Sequence, residues 1–228
     1  MALQFSFKRY EKKYFLTHTQ KSKLLEEIKY RITPDEYTDY TICNIYYDTD
    51  DYALIRRSIE KPVYKEKLRV RSYGVPEYDS MVFAEIKKKY DGVVYKRRIV
   101  SSADKVAALL IPDSGLPNDT KTAREIAYFQ HFYRAEPKVF IAYDRQAFSA
   151  DGGEVRITFD TDIRYRAEAL DLRAGDSGAG VIDSGDSILM EIKIPGVCPL
   201  WLCRALENIG ARQTSFSKYG ECYKKFLM

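Results

Sequence analysis

The sequence predicts an α+β protein in which about eight antiparallel strands close into a β-barrel, forming a charged tunnel with helices packed outside. Three observations lead there. Several strand-like stretches alternate strictly between apolar and ionic residues. Their ionic sides are rich in Lys and Arg, with a few Glu and Asp, and poor in the Thr, Ser and Gln of an ordinary solvated face. Helical stripes elsewhere supply enough apolar surface to cover the outside of a sheet. The same alternation also fits a half-exposed sheet, polar outward and apolar inward. Closure is favoured because it removes the edge strands that a large antiparallel sheet must otherwise protect.

The sharpest stretch is Tyr64 to Ser72, where Lys65, Lys67, Arg69 and Arg71 share one strand face and Leu68 and Val70 the other. Four like charges in a row repel unless water or a polyanion lies along them. Its bland reading is a solvated strand face. Before it come a strand from Phe5 to Leu16 and a helix over Lys21 to Ile32, with Ser22 as start signal and Thr33-Pro34-Asp35 as stop. A strand from Thr41 to Tyr47 follows, then an acidic turn at Asp48-Thr49-Asp50-Asp51. After it come strands over Met81 to Lys89 and Val93 to Val100, joined by the hairpin signal Asp91-Gly92. The stretches 103–111 and 122–133 read as helices around a Pro/Gly/Asn loop, and Lys138 to Phe148 as a strand carrying Arg145. Val155, Ile157, Phe159 and Ile163 oppose Arg156, Thr158, Asp160 and Asp162; Ile188, Met190, Ile192 and Ile194 oppose Glu191 and Lys193. Residues 174–187 read as a mobile Gly/Ser/Asp loop. A helix over 199–209 turns Trp201, Leu202, Ala205, Leu206 and Ile209 inward, Trp201 as core. No linker splits the chain, so one domain over 1–228 is expected.

Composition narrows the function classes. The chain is 45% apolar and 31% charged, which reads as globular, and its net charge of only +4 means that any anion site comes from arrangement. Four cysteines at 43, 198, 203 and 222 form no CxxC pair and read as reduced thiols of a cytoplasmic protein. No secretory segment and no apolar run of spanning length occurs, although docking on a membrane partner stays open. His18 and His131 have no surrounding partner pattern. Gly175 to Gly180 lacks the strand-to-helix context of a dinucleotide loop, and no Walker lysine loop is present. The basic residues face a presumed lumen too narrow for a duplex, so no nucleic acid is expected.

Tyr46-Tyr47-Asp48-Thr49, followed some twenty residues later by Leu68-Arg69-Val70-Arg71, resembles the triphosphate tunnel metalloenzyme superfamily. Arg9-Tyr10-Glu11-Lys12-Lys13-Tyr14, Phe83-Ala84-Glu85-Ile86-Lys87, Met190-Glu191-Ile192-Lys193 and Ser215-Phe216-Ser217-Lys218-Tyr219 narrow it to the VTC branch, which contains the polyphosphate polymerase domain of the vacuolar transporter chaperone complex. One departure stands out. The Glu-x-Glu-x-Lys signature of the hydrolytic tunnel enzymes is here Arg9-x-Glu11-x-Lys13, which speaks against a plain triphosphatase and its full set of metal-binding acids. The phosphate-sensing domain and membrane helices of the larger complex are missing from these residues, so transport coupling is not expected.

The resemblance implies a metal-dependent phosphotransferase that passes the γ-phosphoryl group of ATP to a growing polyphosphate chain. It implies Lys13, Arg69, Arg71, Lys87, Lys193 and Lys218 as catalytic residues. Lys65, Lys67, Lys96, Arg98, Arg145 and Arg156 complete the phosphate cradle, Arg by bidentate contact and Lys as a point charge. Glu191 is the first choice for binding a divalent metal, Mn²⁺ or Mg²⁺; Glu85 and Glu11, which can instead orient Lys or Arg, come behind it, with Asp160 in the same class. A triphosphatase on the same barrel and a non-catalytic polyphosphate-binding module are the alternatives. Lys218 alone also fits a surface lysine at a helix start, and Glu191 with Lys193 a plain ion pair.

Overall fold

The computed structural model describes residues 10–91, 93–114, 120–182 and 187–228. The expected strand start at Phe5, the cation Arg9, the hairpin glycine Gly92, the loop at 115–119 and residues 183–186 lie outside them. In chain order the elements are β1 (Tyr10–Leu16), α1 (His18–Ile28), β2 (Ile32–Asp48), α2 (Ala53–Ile59), β3 (Tyr64–Tyr73), β4 (Met81–Tyr90), β5 (Val93–Ser102), α3 (Ala103–Leu109) and α4 (Lys121–Tyr133). They continue with β6 (Glu136–Ala150), β7 (Val155–Arg166), β8 (Ala179–Gly180), β9 (Ile188–Ile194), α5 (Leu200–Asn208), β10 (Arg212–Thr214) and α6 (Lys218–Cys222).

The chain divides into two compact units. The first holds residues 1–40, 143–163 and 182–216; the second holds 41–142, 164–181 and 217–228. β2, β6 and β7 each contribute residues to both units. Each unit has its own apolar core, which the alternation dictates. In the first, Tyr14 and Leu16 of β1, Ile157 and Phe159 of β7, and Ile188, Met190 and Ile192 of β9 pack with Leu24 and Ile28 of α1 and Leu202, Ala205 and Leu206 of α5. In the second, Leu68 and Val70 of β3 and Val82, Ala84 and Ile86 of β4 pack with Leu54 of α2, Val106 of α3, and Ile126 and Phe129 of α4. Each of the buried Leu, Ile, Val, Met and Phe side chains among them contributes roughly 1.5–3 kcal/mol. Helices therefore cover the apolar side of the strands, as expected.

Helix α1 begins earlier than Ser22. The Thr17 hydroxyl accepts from the Gln20 amide at 3.1 Å and the Gln20 side chain accepts from the Thr17 amide at 2.9 Å, a reciprocal capping box that fixes the start. The helix ends at Ile28, and the Thr33-Pro34-Asp35 stretch belongs to the 17-residue strand β2. Trp201 packs against the first core and donates to Asp151 at 3.3 Å.

The closed barrel is corrected. The hydrogen-bonded path runs β10-β1-β9-β7-β6-β2-β3-β4-β5, with β8 on β7, so among the described residues the sheet has ten strands and two open ends. Its end members explain this. Strand β10 offers only three residues for pairing, and β5 carries Lys96, Arg97 and Arg98 at an edge, where charge discourages further strand addition. The loop after β7 is also tighter than expected. Arg166 donates to the carbonyls of Ala169, Asp171, Gly175 and Ser177, and Arg164 binds Asp176 through both its backbone and its carboxylate. No helix among the described residues is long and apolar enough to cross a membrane.

Candidate functional site

The cationic row of β3 continues across two more strands of the second unit. Antiparallel register sets Lys65 opposite Lys89, Lys67 opposite Lys87, and Arg69 opposite Glu85. It then sets Lys87 opposite Lys96 and Glu85 opposite Arg98. Eight cations, Lys65, Lys67, Arg69, Arg71, Lys87, Lys89, Lys96 and Arg98, thus share one face of β3, β4 and β5 with a single carboxylate, Glu85. Like charges directly opposite on neighbouring strands destabilise a sheet. Lys65 reflects that: burial lowers its pKa, and Lys89, Lys87 and Lys61 lower it further, while its ammonium donates to the Ser58 carbonyl at 3.0 Å. Lys89 was not among the sequence candidates, although its place in the alternation already put it on this face.

Glu85 is the hub of the face. Its carboxylate takes Arg69 at 2.7 and 2.8 Å, Lys96 at 2.6 Å and Arg71 at 3.8 Å. Burial alone would raise its pKa, but Arg69, Arg71 and Lys96 together pull it down to about 2. Lys96 is pushed down to about 8, by burial first and then by Arg69 and Arg71, against the upward pull of Glu85. Neighbours on β2 hold the guanidinium groups in place. Arg71 donates to the Asn44 side chain at 2.9 Å, Asn44 in turn donates to the Ile141 carbonyl at 3.0 Å, and Arg69 donates to the Tyr46 hydroxyl at 3.1 Å. Arg98 lies over the Phe83 ring at 5.1 Å.

The ionic face of the first unit is built on the opposite rule. Register pairs Lys13 with Glu191 and Glu11 with Lys193. The Lys13 ammonium lies 3.0 Å from Glu191 and 3.4 Å from Glu11. Arg145 forks onto Asp160 at 2.6 and 2.7 Å and reaches Glu191 at 3.4 Å. Arg156, expected in the phosphate cradle, meets Asp35 at 2.8 Å. The Lys193 pKa is lowered by burial, with Arg145 and Arg156 adding to the effect and Glu11 and Glu191 opposing it.

Lys218 is buried, at 8% exposure, which removes the surface-lysine reading. It opens α6, whose first turn is capped by the Ser217 hydroxyl accepting from the Gly220 amide at 3.3 Å. Asp48 and Tyr219, conspicuous only as motif letters, form a buried anchor in the second unit. The Asp48 carboxylate accepts from the amides of Thr49, Leu54 and Ile55 at the start of α2 and from the Tyr219 hydroxyl at 2.9 Å. Burial raises the Asp48 pKa against the downward pull of these hydrogen bonds.

A divalent cation prefers several carboxylate oxygens, and a magnesium-type site uses one or two carboxylates plus substrate phosphates. Among the described residues no three Asp, Glu, His or Cys side chains converge as a metal-holding group. Glu85 is neutralised by three cations and Glu11 shares Lys13 with Glu191. Both weaker metal candidates thus hold cations here, the alternative role that the sequence left open for Glu85 and Glu11. Glu191 supplies one carboxylate, held by Lys13 at 3.0 Å and Arg145 at 3.4 Å.

The model of the VTC domain matches residues 8–227. A search of curated proteins gives no match. Among solved structures, a Bacillus halodurans protein described as a candidate adenylate cyclase aligns at TM-score 0.58 and 12% identity, covering 97% of this chain and 100% of its own. The PH1819 protein of Pyrococcus horikoshii aligns at TM-score 0.50 and 14% identity, covering 95% and 99%. These likenesses establish a shared fold, and the match over nearly the whole length establishes the family: the chain belongs to the VTC domain family.

Proposed function

We propose that the protein is a polyphosphate polymerase-like phosphotransferase that moves the γ-phosphoryl group of ATP onto the end of a polyphosphate chain. The observation that carries this reading is the face of β3, β4 and β5, where lysines stand opposite lysines with one carboxylate among eight cations. Such a face is stabilised by a linear polyanion lying across it. Membership of the VTC domain family supports phosphate as that anion. The family match spans residues of both compact units, which supports treating them as one functional domain.

Phosphoryl transfer asks for positioning and charge neutralisation more than for covalent help from protein. The terminal phosphate oxygen of the acceptor chain attacks the γ-phosphorus, the bond to the β–γ bridging oxygen breaks, and ADP leaves. The acceptor is already ionised, so the step needs no general base. Arg69 and Arg71, held by Tyr46 and Asn44, present guanidinium forks to equatorial oxygens, while Lys87, Lys96, Lys65 and Lys67 neutralise the remaining charge. Lys13, Lys193 and Lys218 complete the catalytic set implied by the family. A Mn²⁺ or Mg²⁺ bound to the nucleotide phosphates, held by Glu191, would neutralise charge that builds on the leaving group.

The test is incubation of purified protein with ATP and Mn²⁺, with products resolved on a gel stained for polyphosphate. Long polymer that disappears in Glu191→Ala supports the reading. Free phosphate without polymer would replace it with a triphosphatase, and binding without turnover would replace it with a polyphosphate receptor.

A further inference from the structure

Two sequence motifs far apart in the chain meet in the second unit. The Tyr219 hydroxyl donates to Asp48 at 2.9 Å, and its ring stacks on Tyr46 at 4.8 Å with 24° between the planes. Tyr46 also touches the cation face: its hydroxyl accepts from Arg69 at 3.1 Å, and the Arg69 guanidinium lies 5.8 Å from its ring centre. Arg69 then closes on Glu85. Asp48, Tyr219, Tyr46 and Arg69 thus form one continuous line of contacts from a buried carboxylate to a phosphate-facing guanidinium.

Resting on the phosphate-transfer reading above, we infer that Tyr219 is a positioning residue: through Tyr46 it fixes the Arg69 fork for phosphate, and with the same hydroxyl it anchors the helix turn that begins at Lys218. Its own atoms take no part in the chemistry. Three features argue for a dedicated device. Asp48 already accepts from two backbone amides in the first turn of α2, Leu54 and Ile55, and from that of Thr49 ahead of it, so the Tyr219 hydroxyl is not needed to cap that helix. A plain apolar anchor would have served the packing alone, yet the ring is aromatic, buried at 3% exposure and stacked on the residue that holds Arg69. The segment after it is tethered independently, by Tyr223 against Tyr52 at 5.4 Å and Phe226 against Tyr165 at 4.3 Å. Tyr219 can therefore be altered without releasing the C-terminal residues.

The experiment is a double-mutant cycle read by tripolyphosphate binding in the calorimeter, on the full chain at a temperature well below unfolding. Tyr219→Phe keeps the ring and removes only the hydroxyl; Arg69→Ala removes the group through which it is inferred to act. Tyr219→Phe is expected to weaken binding about five- to tenfold in the wild-type background and less than about twofold in the Arg69→Ala background, the signature of coupled residues. Tyr46→Phe, which keeps the stack and loses the hydroxyl facing Arg69, is expected to behave like Tyr219→Phe. A loss of equal size in both backgrounds, or unchanged affinity with only a lower melting temperature, would make Tyr219 a structural anchor and overturn the inference. Failure to form polymer from ATP would sink the polymerase reading alone, since this cycle reads anion binding and not turnover.

Discussion

Glu85 is the one negative group on a face of eight cations, so replacing it with Gln separates its role as counter-ion from any role as metal ligand. Its pKa falls from 4.5 to about 2 in the folded chain. That difference of about 2.5 units corresponds to about 3 kcal/mol of stability at neutral pH, because each unit is worth about 1.4 kcal/mol. The group is buried at 2% exposure, so solvent does little to weaken it. The sign follows from a depressed folded pKa: the contribution is complete above pH 4.5 and disappears as pH falls toward 2. Glu85→Gln should therefore lower the melting temperature at pH 7 by about 6–12 °C for a chain of this size, and should flatten the acid limb between those two pH values. Removing the carboxylate also takes one negative charge from beside Arg69, Arg71 and Lys96, so an anion should be held more tightly. Tripolyphosphate at about a hundred times its Kd stabilises by about 2.7 kcal/mol, and the variant should gain more than the wild type at the same concentration. The assay is thermal unfolding of both proteins over a pH series, with and without tripolyphosphate. Equal stability at pH 7 without anion would refute the counter-ion role, and equal stabilisation by tripolyphosphate would place the anion elsewhere.

Lys96, held down to about 8, should regain its proton when an anion arrives; binding at pH 8 should take up at most about half a proton from this residue, seen as a dependence of binding heat on buffer ionisation enthalpy that vanishes in Lys96→Met. The same depressed pKa means that the unfolded chain holds more protons between pH 8 and 10.5, so this lysine makes stability rise with pH across that window. Gly178 lies against the Tyr165 backbone, where an added Cβ would meet the carbonyl oxygen at 2.4 Å. Gly178→Ala should cost about 1–3 kcal/mol and expose the loop around β8 to limited proteolysis, while unchanged unfolding would mean the loop gives way freely.

The cation face was legible because alternation in a strand depends only on local parity: Lys65, Lys67, Arg69 and Arg71 had to share a side. Parity could not say who stood opposite. That Glu85 serves three cations, and that Lys87 lies between Lys67 and Lys96, follows from register, which depends on pairing between separate strands. The Asp48–Tyr219 contact joins residues 171 positions apart, and no local pattern marks it. The early start of α1 was readable in principle, since Thr17 and Gln20 have the spacing of a capping box. Closure was the point where local reasoning ran out. An open and a closed sheet have the same alternation, and the difference rests on whether the end strands pair. The three residues of β10 were too few to announce a strand at all.

The contrast between the two ionic faces bears on where a metal would come from. On β1, β6, β7 and β9 the acids are interleaved with cations: Lys13 serves both Glu11 and Glu191, and Arg145 serves Asp160 and Glu191. A carboxylate already held at 3.0 Å by an ammonium gains little from a metal, since the metal must first displace that partner. Lys13→Met should therefore remove the ammonium that Glu11 and Glu191 share and create, or strengthen at least tenfold, Mn²⁺ binding in the absence of any nucleotide, read by calorimetry or by loss of the free-ion paramagnetic signal. In the wild type, Mn²⁺ should bind detectably only when a triphosphate is present. If Lys13→Met binds no more Mn²⁺ than the wild type, Lys13 is not what keeps these acids from the metal. If the wild type binds Mn²⁺ tightly by itself, the metal is resident and does not arrive with the phosphate.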